Sequence, residues 1–213
     1  MIFQKFTYKD RKSFDNESWD TYLAWETEDE NSVSPCGKLL NYLCDDETIE
    51  IPYGVEVIGA DAFYRGDWDY MEPPVEKLII PATVKRIEPG AFTMTFIHEI
   101  EIDPASPCGI VKNNVLYSGD GKTLLWVLDG DAFSVEYSKE DKYKEYSVLS
   151  VPEGVVRIGN FCPYRPDVLQ LPASATEILF DDWWGDDMLI RAPKGSAAIQ
   201  IAKERGWEYE ETD

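Results

Sequence analysis

The chain is 213 residues long, 44% hydrophobic and 29% charged, and its 20 basic against 41 acidic residues give a formal charge of −21. That balance is the composition of a soluble globular protein, one large domain or a compact domain with an appendage, and it excludes a chain disordered throughout. It disfavours unaided binding to DNA, RNA or an anionic membrane and makes a basic protein the electrostatic complement, with solvation of exposed loops the plainer use of so many carboxylates.

The first segment, MIFQKFTYKDRKSF, has basic residues but no apolar run of signal-peptide length, so it does not read as a secretory leader. No later stretch approaches the roughly 20 apolar residues that span a bilayer. The expected location is the cytoplasm, or the cell surface if a leader has been removed. Residues 1–33 stand outside the repeat that follows, yet Phe3, Phe6, Tyr8, Phe14, Trp19, Tyr22 and Trp25 give them more aromatic mass than a disordered tail has. They are expected to cap the first coil, the alternative being a separate binding arm. The run ETEDE at 26–30 reads as an exposed loop.

Residues 34–193 hold a repeat. TIEIPYGVEVIGADAF (48–63), KLIIPATVKRIEPGAF (77–92), SVLSVPEGVVRIGNF (147–161) and VLQLPASATEIL (168–179) align on Pro52, Pro81, Pro152 and Pro172. Three residues beyond these prolines stand Val55, Val84, Val155 and Ala175, and six beyond stand Ile58, Ile87, Ile158 and Ile178. Before each proline the apolar residues alternate as in a strand with one buried face. Degenerate copies end at Pro104 and Pro193, so the spacings from Pro52 are 29, 23, 48, 20 and 21 and the underlying coil is 20 to 23 residues. Such a period belongs to a solenoid, whose coils each bury an apolar face by stacking.

The long spacing is an insertion at about 106–147, in which Asn114–Ser118 and Thr123–Val127 flank Gly119-Asp120-Gly121 and read as a β-hairpin. Ser34-Pro-Cys-Gly and Ser106-Pro-Cys-Gly precede comparable segments, LLNYL and NNVLYS, which points to two related modules. Residues 137–146, YSKEDKYKEY, read as an exposed charged loop. Over 194–213 the spacing predicts a capping helix: Ser196 as N-cap, Ala198, Ile201 and Ala202 as one stripe, Lys203 and Arg205 in the last turn, Gly206 at the exit. Trp207 and Tyr209 are expected to cover the last coil.

In IPYGVEVIGADAF, LIIPATVKRIEPGAF, VPEGVVRIGNF, NNVLYSGDGKTLLWV and APKGSAAIQIAKERGW the chain resembles the BspA-like leucine-rich repeat family of bacterial proteins, over roughly residues 34–209. The resemblance implies a mainly β fold with short helical or 3-10 turns: a curved leucine-rich-repeat solenoid of about six coils, with a hairpin insertion and a C-terminal capping helix. It implies a protein that binds another protein or a surface; from the residues, a non-catalytic protein without a cofactor is expected.

The residues themselves mark no reaction. Gly119-Asp-Gly-Lys-Thr is not a phosphate loop, because Leu116 stands where that motif requires glycine. His98 is the single histidine and has no nucleophile and acid at triad spacing. Cys36, Cys44, Cys108 and Cys162 form no C-x-x-C pair and are expected to be free, mostly buried thiols rather than metal ligands. Asp181–Asp187 clusters four carboxylates around a glycine, a solvated loop or a calcium site without the alternating ligand spacing. For binding, alternation places Glu50, Ile79, Glu101, Ser150, Gln170 and Arg191 on the open sheet face when Ile51, Ile80, Ile102, Val151, Leu171 and Ala192 point inward. Two residues earlier runs Thr48, Lys77, Glu99, Val148, Val168 and Leu189, whose last three members form an aliphatic strip, either a partner site or covered by the chain itself. Tyr64, Trp68, Tyr70, Tyr164, Trp183 and Trp184 sit in coil-end loops, as interface anchors or as plugs of the coil ends. The leading expectation is a protein–protein interaction module. The alternatives are an acidic inhibitor or immunity-type protein that blocks a basic nuclease or DNA-binding protein, and a carbohydrate-binding or glycosidase-like protein.

Overall fold

The structure, a computed structural model, describes residues 22–27, 37–43, 47–63, 75–93, 95–138, 144–159, 165–180 and 188–213. It opens on an antiparallel pair, β1 (Tyr22–Thr27) and β2 (Gly37–Leu43). Glu26 and Thr27, read as the start of a loop, are therefore in a strand. The rest of the 1–33 flank lies outside the described residues.

Two strands per coil follow: β3 (Thr48–Glu50) with β4 (Val55–Ile58), then β5 (Val75–Ile80) with β6 (Arg86–Ile87). β7 (Ile97–Ile102) begins a third coil. A proline ends the first strand because it has no N–H for the ladder, and its carbonyl accepts the N–H three residues on: Val55 to Pro52 at 3.2 Å, Val84 to Pro81 at 3.1 Å. That turn brings Val55, Val84, Ile58 and Ile87 back into the interior, all buried. β3, β5 and β7 form one parallel sheet, while β1, β2, β4 and β6 form a second sheet, parallel apart from β1. The third coil corrects the phase expected from Pro104. Ile80 pairs with Ile102 and the Ser106 N–H donates to Asp103 O at 2.8 Å, so Asp103 occupies the place of Pro81, 22 residues on.

The segment after Asp103 makes β8 (Gly109–Lys112), β9 (Val115–Ser118) and β10 (Thr123–Val127), all antiparallel neighbours. The expected hairpin about Gly119–Gly121 is present, with Gly121 at φ 69°. It sits inside the stack, because β10 pairs in parallel with β13 (Arg157–Ile158), Leu124 opposite Ile158. Its residues divide between two cores. Leu116, Leu125 and Trp126 join the core of the first coils, whereas Val115, Tyr117, Leu124 and Val127 join that of the later ones. The hairpin is thus a septum buried on both faces.

A 3-10 turn (Gly130–Ala132) leads to β11 (Ser134–Tyr137), which pairs antiparallel with β12 (Glu145–Ser150). This corrects the reading of 137–146 as a loop at both its ends; 139–143 lie outside the described residues. β12, β14 (Val168–Gln170) and β16 (Leu189–Pro193) form a first-strand sheet of their own with β11, and β13 and β15 (Glu177–Ile178) extend from β10 in a separate second-strand sheet. Here Val155, Ile158, Ala175 and Ile178 are again buried.

Helix α1 (Ala197–Arg205) closes the stack. Ser196 Oγ accepts from the Ile199 N–H at 3.4 Å, and Gly206 takes the left-handed exit at φ 75°. Arg205 reaches back to the carbonyls of Phe180 (2.8 Å) and of Ile178 in the edge strand β15 (3.2 Å). Trp207 stacks on Phe180 at 5.2 Å and is buried. Tyr209 does not cover the coil: it is exposed in β17 (Tyr209–Thr212), which adds in parallel to β16 and so extends the sheet by its backbone.

The two modules correspond, although not as LLNYL and NNVLYS. The Gly59 N–H donates to Leu39 O at 2.9 Å, and the Gly159 N–H to Leu124 O at 2.8 Å. β2 and β10 therefore play the same part, and the matching sequences are GKLL at 37–40 and GKTLL at 121–125. At both glycines a Cβ would stand 2.7 Å from that carbonyl.

Candidate functional site

The open face of the first-strand sheets is laid out by register. Glu50, Ile79 and Glu101 are direct partners across β3, β5 and β7, as are Thr48, Lys77 and Glu99. Ser150, Gln170 and Arg191 form the same row across β12, β14 and β16. Period-2 alternation sends Ile49, Leu78, Leu149, Leu169 and Ile190 inward, where all are buried.

On the first module Glu50, Glu99 and Glu101 are exposed and Ile79 is half-buried among them. Lys77 Nζ lies 2.6 Å from Glu101 and 2.9 Å from Glu99, and these hydrogen bonds, Glu101 first, hold its ammonium above the ordinary lysine range. In the same strand pair His98 Nδ1 lies 3.3 Å from Glu76 Oε2. The result is an acidic face with an aliphatic centre, able to seat cationic groups around an apolar contact.

On the second module the aliphatic strip follows the second of its two expected readings and is covered within the chain. Val148 and Val168 are 1% and 2% exposed, and Leu189 is half-buried. Arg191 Nη1 reaches Glu136 Oε2 at 2.8 Å, and its Nε donates to Glu210 Oε2 at 2.7 Å. Because β12 and β14 stand between β11 and β16, the Arg191–Glu136 pair crosses the face over the strip. Partial burial opposes the Arg191 charge, but Glu210 and Glu136 outweigh it and raise its pKa further. Arg191 is thus engaged within the chain, and Ser150 and Gln170 are the row's freely exposed members.

Tyr64, Trp68, Tyr70, Tyr164, Trp183, Trp184 and the Asp181–Asp187 loop lie outside the described residues. So do three of the four cysteines; Cys108 is a buried free thiol. Sequence reading missed one surface, the edge strand β11, where Val135 and Tyr137 are 58% and 63% exposed. The alternation Ser-Val-Glu-Tyr at 134–137 was the available signal.

No protein-family model and no curated protein matches the chain. Among solved structures it is similar to a leucine-rich repeat protein from Eubacterium ventriosum, at 17% identity and a TM-score of 0.44, over 69% of this chain and 36% of that one. The chain thus spans about a third of that protein's length. Its own stacked coils, with 20 to 22 residues between equivalent positions where no insertion intervenes and a strand opening each, decide the architecture. The fold is a leucine-rich-repeat solenoid. Stacked coils of this kind present an extended surface along the stack. Among the described residues no helix is long and apolar enough to cross a membrane.

Proposed function

We propose that the solenoid is a non-catalytic interaction module that binds a basic protein partner on the open face of β3, β5 and β7. The observation that supports this reading is the row Glu50–Ile79–Glu101, held in register by the parallel ladder with Glu99 and Lys77 beside it. Side chains on this face do not build the core, so their arrangement is free to serve recognition. Ile79 supplies a desolvated centre and the glutamates a charged surround, the usual division of labour in an interface. The acidic surround steers a basic partner and sets a salt-dependent association rate.

The test compares capture of partners from a cell lysate by the wild-type chain and by Glu50→Lys/Glu101→Lys and Ile79→Asp variants of unchanged circular dichroism and Tm. A stoichiometric partner lost from both variants is the expected result. A partner retained equally by both would remove the binding site from this face. Repeating the capture at about 0.5 M salt, where the Debye length falls to about 4 Å, separates two modes. Loss at high salt makes carboxylate mimicry the mechanism and favours an inhibitor, while survival assigns the affinity to the apolar contact at Ile79.

A further inference from the structure

The second surface is a strand edge, independent of the face just described. Among the described residues β11 ends its five-stranded sheet, in the order β11-β12-β14-β16-β17. The Ser138 N–H donates to Lys144 O at 2.9 Å, which makes 138 and 144 a hydrogen-bonded pair. Hydrogen-bonded and non-hydrogen-bonded pairs alternate along an antiparallel ladder. Glu136 opposite Tyr146 and Ser134 opposite Val148 are therefore hydrogen-bonded too, while Val135 opposite Ser147 and Tyr137 opposite Glu145 are not. The consequence is that Val135 and Tyr137 turn their backbone N–H and C=O groups away from β12, toward the open edge. These same two residues project their side chains together, 58% and 63% exposed.

An edge of this kind is normally blunted by lysine, proline or a bulge. β11 has none of these: its sequence is Ser-Val-Glu-Tyr, and its pairing with β12 is regular over all four residues. Among the other described sheet edges, β8 also exposes aliphatics, Ile110 and Val111, but ends on Lys112, and three more are guarded or short. β6 and β15 have two residues each, and β17 holds two glutamates in ion pairs with Arg191 and Lys203. Around β11 carboxylates outnumber cations among the described residues: Glu136 in the strand is paired with Arg191, and Lys144 lies exposed opposite Ser138 at its end. Glu145 faces Tyr137 across the ladder, Asp131 stands exposed just before the strand, and the whole chain is at −21. A second copy of this chain would bring like charges together, whereas a cationic strand meets opposite ones.

The geometry points to β11 as a strand-addition site that takes an extended basic segment of a partner protein, with aliphatic residues alternating with lysine or arginine. The segment's backbone pairs with the outward N–H and C=O groups of Val135 and Tyr137. Its aliphatic side chains lie beside theirs, and its cations project on the opposite face, the side of Glu136, within the field of an acidic chain.

The test is fluorescence anisotropy of a labelled peptide of about eight residues alternating valine and lysine, added to the full chain, with valine–glutamate and backbone N-methylated peptides as controls. Val135→Pro removes one outward N–H without touching the β11–β12 ladder, and Tyr137→Lys places a guarding charge on the edge. Saturable one-to-one binding of the lysine peptide is expected, with both controls silent and both variants weakening it by about tenfold or more at unchanged Tm. No binding of the lysine peptide overturns the proposal, as does binding that both folded variants keep, which would place the peptide elsewhere on the acidic surface. Sedimentation velocity of the chain alone covers the remaining occupant: a dimer that Val135→Pro dissolves would show that the edge belongs to a second copy, and would equally overturn it.

Discussion

Trp126 is the side chain on which the union of the two modules turns. It is fully buried in the septum hairpin, opposite Leu116, with its ring edge-on to Phe92 at 5.9 Å between centroids. Trp126→Ala removes the largest fully buried side chain among the described residues and should cost about 3–5 kcal/mol. Against a total stability of about 5–15 kcal/mol that is a large fraction. The loss should also loosen the coupling of the cores on either side of the hairpin, because a solenoid transmits stability through neighbouring units. Urea unfolding followed by far-UV circular dichroism should therefore show a lower midpoint and a shallower transition. Trp126→Phe sharpens the test. The indole Nε1 is buried without a hydrogen-bond partner among the described residues, a state that costs about 1–3 kcal/mol, and phenylalanine removes that donor while keeping a ring against Phe92. The Phe variant should fall within about 2 kcal/mol of wild type. A Trp126→Ala cost below about 1 kcal/mol, or equal costs for the two substitutions, would refute this account of the septum.

Two further predictions concern the joints between coils. Gly159→Ala sets a Cβ 2.7 Å from the Leu124 carbonyl, so the strands must part, and a loss of about 1–3 kcal/mol is expected. Gly130→Ala meets nothing within 4 Å and should stay within about 0.5 kcal/mol of wild type; calorimetry showing equal Tm shifts for the two would contradict the close-approach argument. The Asp167 carboxylate accepts from the Ser147 N–H and hydroxyl, both at 2.7 Å, and these bonds hold it below the usual aspartate range. A depressed folded-state pKa contributes stability above the unfolded value, near 3.9, and loses it as pH falls through the folded one. The stability gap between wild type and Asp167→Asn should accordingly shrink from about pH 5 downward. A gap that stays constant to the acid limit would show that Asp167 does not act through its charge.

Where one residue's chemistry forces the chain locally, the sequence was sufficient. Pro52, Pro81, Pro152 and Pro172 end strands because they lack a donor, and the apolar residues three and six positions later must then return to the interior. The same holds for Ser196 and Gly206 at the ends of the helix, and for the rows through Glu50 and Ser150, since the side-chain period of a strand is two. The third coil shows where local reading stops. Pro104 resembles the other coil-ending prolines, but the ladder pairs Ile102 with Ile80, and the turn forms one residue earlier, on Asp103.

Tertiary structure alone decided what stands beside what. That GKLL corresponds to GKTLL rests on two glycines, Gly59 and Gly159, packed against carbonyls 20 and 35 residues earlier in the chain. The strip of Val148, Val168 and Leu189 lies in the register that alternation dictates, yet Val148 and Val168 are buried, and on the same sheet Arg191 meets a glutamate 55 residues away. The edge at Val135 and Tyr137 is open because no described strand follows β11, a property of the neighbour and not of the strand itself. Alternation fixes which way a side chain points. Only the packing of distant segments fixes whether it meets solvent, and on that a binding surface depends.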